Sequence, residues 1–343
     1  MGHRENPADP TYVYVAGRGH SGTTLLGFLL GNHPDICGVG ELMYLPLQCF
    51  RDHKTRWEGL CGCGERPFNC EFWSPIIADI ESEFGHNLKH RPFGWRISDA
   101  GIEEEYRSTA PIRSPYSWAR HKVWRALRRM QYSRHQTSQR IGKFHVPQKL
   151  WIERRDYLAR RISKQSCCSV IADISKDYLD MRDVYDYSSL QNKVIFITRD
   201  CRANIWSQVR MHCKRHGDAS REHVERVIVR SSRDWVSVNR RILSALEGVR
   251  SKDWIHVRYE DICRNTVAEM DRVLQFAGLQ NLDEVLDFNQ PVEHTIAGNR
   301  VRFGGKMKAI REDLAWQDEL RPGELRIIAD ICGTLAGQLG YSF

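Results

Sequence analysis

The sequence lacks any long apolar segment. No stretch reaches about 18 consecutive apolar residues, which excludes a membrane-spanning helix. Residues 1–17 also contain no apolar core of signal-peptide length, so we expect a cytoplasmic protein. Internal repeats and long low-complexity tracts are absent as well, and their absence excludes a solenoid or fibrous architecture.

A regular cysteine framework is also missing. The 11 cysteines are an odd number without regular spacing, which indicates reduced thiols rather than the disulfide framework of a small secreted protein. With 343 residues, of which 41% are hydrophobic and 27% charged, the chain has the composition of a globular protein with a substantial core. We predict a single domain over residues 1–343.

Positive charge is concentrated in one part of the chain. The net charge is +8, but residues 113–164 contain 15 Lys or Arg and only two acidic residues. Aromatic residues are interleaved with these basic residues, namely Tyr116, Trp118, Trp124 and Tyr132. The segment is either a solvated helical insertion or an electropositive wall that attracts an anionic cofactor or acceptor. We expect no nucleic-acid partner, because no recognised nucleic-acid-binding motif is present.

Short apolar runs alternate with helix-like sequence. Four of these runs are predicted as strands: Tyr12–Ala16, Ser169–Ala172, Val194–Thr198 and Trp254–Val257. The alternation predicts a three-layer α/β/α fold of the P-loop NTPase type, with a central and mostly parallel sheet. Residues 45–165 contain no clear strand, and we interpret them as a large, basic, helical insertion that covers the acceptor site at the carboxyl edge of the sheet.

A glycine-rich turn joins the first predicted strand to a helix. Its sequence, Gly17-Arg18-Gly19-His20-Ser21-Gly22-Thr23-Thr24, has the spacing of a P-loop, but Thr23 stands where that motif requires lysine. Glycines let the backbone approach an anion, and the amides at the helix start point toward it. Without the lysine, ATP or GTP hydrolysis is disfavoured, and the loop suits a single terminal phosphate.

The turn resembles the 5′-phosphosulfate loop of sulfotransferases that use 3′-phosphoadenosine-5′-phosphosulfate (PAPS). The likeness includes the following Asn32-His33-Pro34-Asp35 and Gly40-Glu41, and it is greatest to the bacterial-type branch, which is related to tyrosylprotein and cytosolic sulfotransferases. It implies transfer of a sulfuryl group from PAPS, with 3′-phosphoadenosine 5′-phosphate (PAP) as the product. It also implies that the donor is bound by the loop residues Arg18, Gly19, His20, Ser21, Gly22, Thr23 and Thr24.

Three later segments resemble the same family. Arg199 at a strand end and Ser207 eight residues later match the pair that holds the 3′-phosphate in sulfotransferases, and an Arg offers that phosphate a planar fork of donors. Tyr259 matches a Tyr near the adenine, although a buried core Tyr is an alternative interpretation. Arg302 matches a late Arg that closes over the 3′-phosphate. Glu260 is expected to brace the helix after Tyr259.

The chemistry requires a base and a cation. Glu41 lies where tyrosylprotein sulfotransferases carry their catalytic Glu, and we predict that it removes the acceptor proton. Lys176 resembles the Lys of the family's DSSK segment, and we predict that it stabilises the leaving oxygen. His20 stands where many members have Arg or Lys, and it can donate to the sulfuryl oxygens. In-line sulfuryl transfer of this kind requires no metal.

Three clustered cysteines form a further motif. Cys61, Cys63 and Cys70 resemble a CxCG…CxFW segment of bacterial-type sulfotransferases. Free structural thiols, a disulfide and a zinc site are the three interpretations, and zinc would need a fourth ligand such as His53 or His86.

These observations predict a PAPS-dependent sulfotransferase that modifies a hydroxyl or amine, with Glu41 as the base. The acceptor is expected to be a soluble small molecule or a glycan, and the basic segment favours an anionic one. Two alternatives stay open. The first is a P-loop kinase or NTPase with Asp173 as a Walker-B-like carboxylate, and the second is a module that binds polyanions such as RNA through residues 113–164.

Overall fold

Five parallel strands form the centre of the molecule. The computed structural model describes residues 9–49, 59–90, 95–98, 123, 126, 148–217, 220–280, 285, 294–303 and 310–343. The strands are β1 (Thr11–Gly17), β2 (Ile36–Gly40), β3 (Val170–Lys176), β4 (Gln191–Thr198) and β5 (Trp254–Arg258). Their order across the sheet is β2-β3-β1-β4-β5, and every adjacent pair is parallel. The predicted parallel sheet is confirmed.

Helices connect the strands. They are α1 (Thr23–Gly31), α2 (Leu45–Gln48), α3 (Trp73–Phe84), α4 (Gln148–Ser166), α5 (Tyr178–Tyr187), α6 (Cys201–His216), α7 (Arg221–Leu246), α8 (Tyr259–Arg264), α9 (Thr266–Ala277), α10 (Trp316–Glu319) and α11 (Pro322–Gln338). Short 3₁₀ turns cover Leu42–Tyr44, Ser251–Asp253 and Arg300–Phe303. Among the residues the structure describes, no helix is long and apolar enough to cross a membrane.

The sheet is covered on both faces. Successive side chains of a strand point to opposite faces, so Tyr12 and Tyr14 lie in one apolar cluster, and Val13 and Val15 lie in the other. The first cluster is completed by helices α4 to α7 and by α11, and the second by α1, α8 and α9. This arrangement is the predicted three-layer α/β/α architecture. Burial on both faces explains why the strands read as continuous apolar runs.

Strand β2 was not predicted from the sequence. Its five residues, Ile36 to Gly40, include two glycines and one cysteine, a composition with little β-branched or aromatic signal. The strand forms because it pairs with β3, where Ile36 lies opposite Val170 and Gly38 lies opposite Ala172. Tertiary pairing therefore overrides a weak local propensity.

The segment 45–165 is described only in part. Most of its basic stretch, including Tyr116, Trp118, Trp124 and Tyr132, lies outside the described residues, so its predicted role at the acceptor site stays a prediction. Its described parts contain helices and no strand. Helix α4 differs from the prediction, because it packs Ile152, Leu158 and Ile162 into the core on one face of the sheet. This end of the segment belongs to the layered fold itself.

One arginine of α4 is buried. Arg155 is 1% exposed, and its guanidinium lies 2.7 Å from a carboxylate oxygen of Asp180 and 3.8 Å from one of Asp173. Burial raises the pKa of Asp180 to about 7, and Arg155 opposes this rise. The buried arginine therefore offsets two carboxylates at the centre of the molecule.

We expect the Arg155→Ala variant to lose about 3–5 kcal/mol of unfolding free energy, because it leaves buried carboxylates without a cation. Arg160→Ala is the matched control. Arg160 lies in the same helix and pairs with Asp9, but the two side chains are 40% and 53% exposed, so its loss should be below about 1 kcal/mol. Urea unfolding of both variants measures the difference. Equal losses of unfolding free energy would show that the buried contacts of Arg155 with Asp180 and Asp173 stabilise the protein no more than the exposed ion pair of Arg160 does.

Candidate active site

The carboxyl ends of the five strands lie side by side. Register pairs Gly40 with Asp173, Ala16 with Lys176, Gly17 with Ile197 and Thr198 with Arg258. Because the sheet order is β2-β3-β1-β4-β5, the residues that follow these ends form a row. From one side to the other, the row is Glu41, Lys176, the turn 18–22, Arg199 and Tyr259. The structure thus brings the sequence-predicted residues of four separate motifs to one edge.

The turn after β1 begins α1 without a side-chain cap. Gly22 is the N-cap residue with φ +88°, and no side chain accepts a hydrogen bond from the first turn of the helix. A Cβ atom at Gly22 would lie 2.4 Å from the ring of Tyr259, so only glycine fits there. His20 also has a positive φ, +68°. The turn therefore places helix-start amides without a side-chain cap next to an aromatic ring, as in an anion site.

An asparagine that sequence reasoning missed holds this turn. Asn204 in α6 is fully buried, and its Nδ2 donates to the Gly19 carbonyl oxygen (3.1 Å) and to Ser21 Oγ (3.0 Å). Its Oδ1 accepts a hydrogen bond from Arg18. A polar residue between Ala203 and Ile205, on the buried side of a helix, was the signal in the sequence. Asn204 fixes the backbone of the turn and thereby the direction of its amides.

Arg18 faces away from the turn's amides. Its guanidinium is buried and binds Asn204, Asp234 Oδ2 (3.0 Å) and the Ser231 carbonyl oxygen (3.4 Å). These partners on α6 and α7 engage the side chain within the protein. Because its side chain is engaged in this way, Arg18 can take the predicted part in donor binding only through its backbone.

Arg199, His20 and Ser207 meet beside the turn. Arg199 donates to the His20 carbonyl oxygen (3.3 Å), and His20 Nδ1 lies 2.9 Å from Ser207 Oγ. The Arg199 guanidinium is 4.6 Å from the centre of the Tyr259 ring. Its Nε is buried and has no hydrogen-bond partner among the described residues. The group therefore combines a buried cation, an unused donor and a hydroxyl, which suits a phosphate.

A carboxylate also contacts this group. Asp313 Oδ2 accepts from Arg199 (3.2 Å) and from Arg210 (2.6 Å), an ion pair that the sequence did not reveal. Burial alone would raise the pKa of Asp313, but the Ala315 amide and the two arginines lower it below its usual value. On the other side, Glu260 accepts a hydrogen bond from the Asp200 amide (3.0 Å). These carboxylates fix the position of Arg199.

Tyr259 packs against both the turn and Arg199. It is 8% exposed, its hydroxyl donates to the Arg311 carbonyl oxygen (3.3 Å), and burial raises its pKa. This placement leaves both interpretations of Tyr259 open, because the ring is mostly buried and yet lies against the turn and the Arg199 guanidinium. Thr23 is buried at the start of α1, and Thr24 lines a small cavity with Gly40 and Asn299.

Glu41 and Lys176 form an ion pair at the other end of the row. Lys176 Nζ donates to Glu41 Oε1, and the two side chains are 21% and 7% exposed. Lys176 has φ +74°, a conformation that non-glycine residues rarely adopt. Such backbone strain clusters at functional sites, where the surrounding structure maintains it.

Asp173 and Ser175 hold this pair together. Asp173 is fully buried and accepts hydrogen bonds from the Tyr12 hydroxyl (2.6 Å), the Leu42 amide (3.3 Å) and the Ser175 amide (2.9 Å). Ser175 Oγ accepts from the Met43 amide (3.2 Å). These bonds join the end of β3 to the turn after β2, which places Glu41 next to Lys176. Asp173 is engaged by protein donors rather than turned toward the edge, unlike a Walker-B carboxylate.

The segment 294–298 closes over the end of β2. The Glu41 amide donates to the Ile296 carbonyl oxygen (2.7 Å), and the Ile296 amide donates to the Val39 carbonyl oxygen (2.9 Å). Gly40 has φ +76°, and a Cβ atom there would lie 2.3 Å from the Ile296 oxygen. Gly40 is therefore required for this close approach.

Arg302 lies on the Glu41 side of the row. It is 3% exposed, and its guanidinium donates to the carbonyl oxygens of Ala297 and Leu60, the latter at 2.9 Å. Burial lowers its pKa to about 10, and Glu41 opposes this shift. None of these contacts is shared with the Arg199 group. The structure therefore does not bring Arg302 to the predicted 3′-phosphate site, because carbonyl oxygens near β2 bind its side chain.

Comparison with known proteins finds one family model that matches part of the chain. Residues 191–284 match the family model described as the sulfotransferase family, and this segment contains Arg199, Asn204, Ser207 and Tyr259. No curated protein sequence matches the chain.

Solved structures resemble the chain in fold. The sulfotransferase domain from the curacin biosynthetic pathway is 15% identical with a TM-score of 0.50, and the match covers 97% of this chain and 99% of that one. The sulfotransferase domain of the Synechococcus PCC 7002 olefin synthase is 19% identical with a TM-score of 0.49, covering 100% and 98%. Mouse sulfotransferase SULT7A1 complexed with PAP is 15% identical with a TM-score of 0.32, covering 52% and 74%.

The five-stranded sheet and its uncapped turn define a P-loop-like α/β protein. Within this fold class, residues 191–284 of the chain match the sulfotransferase family model.

Proposed function

We propose that this chain is a sulfotransferase that transfers the sulfuryl group of PAPS to a hydroxyl or amine of an acceptor. The observation that carries the proposal is the order of Glu41, Lys176, the turn 18–22 and Arg199 along one edge of the sheet. PAPS carries an anionic group at its 5′ end and another at its 3′ position, and each needs its own binding position. The row supplies two such positions, the amides of the turn 18–22 and the guanidinium of Arg199.

The donor fits the residues of the row. The amides of the turn and of α1 would bind the 5′-phosphosulfate, because the helix start carries no side-chain cap. The buried Nε of Arg199, which has no hydrogen-bond partner in the described part of the chain, would bind the 3′-phosphate together with Ser207. The Tyr259 ring lies against both Gly22 and Arg199 and would border the adenosine.

Glu41 and Lys176 would divide the chemistry between them. Glu41 accepts the proton of the acceptor hydroxyl or amine as the acceptor atom forms its bond to sulfur. The bond between sulfur and the bridging oxygen breaks, and Lys176 donates to that oxygen as it gains charge on the PAP product. The ion pair of the two side chains holds both groups beside the turn. His20 is the further donor for the sulfuryl oxygens.

The kinase alternative has less support. It needs Asp173 as a metal-binding carboxylate, but Asp173 accepts hydrogen bonds from Tyr12, Leu42 and Ser175 and is fully buried. The polyanion-binding alternative depends on residues 113–164, which are mostly outside the described part of the chain, and it stays a hypothesis. Cytoplasmic location and an acceptor that is a soluble small molecule or a glycan, with an anionic group favoured, also stay predictions.

Calorimetric titration with PAP in the presence of EDTA tests the proposed donor. We expect PAP to bind without magnesium, and ATP with magnesium to bind much more weakly, because the loop has no lysine for the β- and γ-phosphates. Binding of magnesium–ATP without binding of PAP would favour a kinase. Screening hydroxylated, amine-bearing and glycan acceptors with sulfur-labelled PAPS then identifies the acceptor class.

A further inference from the structure

Two motifs that are far apart in the sequence meet in one cluster. Cys61, Cys63 and Cys70 come together with His294, and their four ligand atoms all lie within 4.8 Å of one another. Among the described residues the fourth member is His294 rather than His86, and His53 lies outside the described residues. Cys61 and Cys70 are buried, Cys63 is exposed, and the His294 side chain is 16% exposed.

The distances within the cluster match a tetrahedral zinc site. Cys70 Sγ lies 3.6 Å from Cys63 Sγ, 3.8 Å from Cys61 Sγ and 3.2 Å from His294 Nδ1. Zinc bonds of about 2.3 Å to sulfur and about 2.0 Å to nitrogen give tetrahedral edges of about 3.8 Å between sulfurs and about 3.5 Å between sulfur and nitrogen. A disulfide needs a sulfur–sulfur distance of about 2.05 Å, and all three cysteines are free thiols.

We propose that Cys61, Cys63, Cys70 and His294 bind a structural Zn²⁺ ion. Three thiolates and one imidazole form a closed set of four protein ligands, which is typical of a structural rather than a catalytic zinc. The soft thiolates disfavour magnesium and calcium. The site is separate from the sulfuryl-transfer chemistry, for which we expect no metal.

The surroundings orient the ligands. The His294 ring stacks on Phe72 with centroids 5.0 Å apart and planes 8° apart, and the His294 carbonyl oxygen accepts from Trp73 Nε1 (2.7 Å). Its Nε2 lies 3.9 Å from Glu71 Oε1, which leaves Nδ1 for the metal. The Gly64 amide donates to the Cys61 carbonyl oxygen (2.9 Å) and closes a tight turn between the first two ligands. The contacts of the His294 ring and the turn at Cys61–Gly64 thus hold the ligands in position, as a metal site requires.

The ion would fasten two loops beside Glu41. The Gly62 amide donates to the Thr295 carbonyl oxygen (2.9 Å), and the next residue, Ile296, accepts from the Glu41 amide. A metal at His294 therefore anchors the segment that holds the backbone of Glu41. This consequence for Glu41 rests on the proposed function, whereas the metal site itself does not.

Metal analysis of the full chain tests the site. We expect about one zinc per chain by elemental mass spectrometry after purification under reducing conditions. Cys63→Ser and His294→Ala should each lower zinc occupancy or raise the zinc dissociation constant at least tenfold. Cys167→Ser is the matched control, because Cys167 is an exposed cysteine outside the cluster, and it should retain full zinc.

Cobalt provides a readout that does not depend on these variants. Titration of the metal-free, reduced wild-type chain with Co²⁺ should give thiolate-to-metal charge-transfer bands and the intense d–d bands of tetrahedral cobalt at one equivalent. Zinc should then displace the cobalt and raise the melting temperature. A wild-type chain that binds neither ion, or a disulfide between two of the three cysteines, would overturn the proposal. If zinc binds but the enzyme does not bind PAP, the metal site stands and the proposed donor fails.

Discussion

The Glu41→Gln variant is expected to lose sulfuryl-transfer activity by a factor of roughly 10²–10⁴ in kcat and to bind PAP with unchanged affinity. Glutamine keeps the shape of the side chain and its hydrogen bond to Lys176 but cannot accept the acceptor proton. The Glu41 backbone is held by Ile296, and Asp173 holds the next residue, so the fold should persist. Initial rates with labelled PAPS and titration with PAP measure the two effects separately.

Glu324→Gln is the matched control for Glu41. Glu324 is also buried, and its carboxylate accepts a hydrogen bond from the Arg321 amide (2.8 Å) at the start of α11, outside the row of site residues. This variant should keep wild-type kcat. A general base contributes at least about a hundredfold to the rate. If Glu41→Gln keeps kcat within about threefold of the wild-type value, then Glu41 only positions Lys176 and another group removes the proton.

The second large effect is expected at Arg199. We predict that Arg199→Ala weakens PAP binding by roughly a hundredfold, about 3 kcal/mol, because hydrogen bonds to a charged phosphate contribute about 1.5–3 kcal/mol each. Arg199→Lys should recover only part of this loss, since lysine lacks the planar fork. Calorimetric titration with PAP measures both variants.

Adenosine 5′-phosphosulfate, which lacks the 3′-phosphate, makes this test specific. Arg199→Ala should bind that nucleotide as well as the wild-type enzyme does. Arg264→Ala serves as the control, because Arg264 is an exposed arginine that pairs with Glu312 (2.6 Å) next to Asp313. An equal loss of affinity for both nucleotides would place Arg199 in the framework of the turn rather than at the 3′-phosphate.

The sequence predicted those parts of the site that lie within one strand, turn and helix. The turn 18–22 and Arg199 were found because each follows an apolar strand and has residue types suited to anions. The sheet, its four apolar strands and the three layers were predicted for the same reason. Strand β2 was not found, because its pairing with β3 rather than its own composition makes it a strand.

Contacts between distant segments could not be predicted from the sequence alone. In the sequence Asn204 is one polar residue of a helix, and only the fold shows that its side chain binds Gly19 and Ser21. Asp313 gave no signal, because its two arginine partners, Arg199 after β4 and Arg210 in α6, lie more than a hundred residues earlier in the chain. His294 is separated from Cys70 by most of the chain, so no spacing rule joins it to the cysteines. In each case the partner is set by tertiary packing.

The position of β1 has a consequence for synthesis of the chain. This strand is made first, yet it is the central strand, and both of its neighbours, β3 and β4, come more than a hundred residues later. A nascent chain therefore carries two unpaired edges of an apolar strand until those neighbours leave the ribosome, and such edges promote aggregation. Parallel pairings of this range also form slowly. We therefore expect the chain to be most prone to aggregation before β3 and β4 are synthesised.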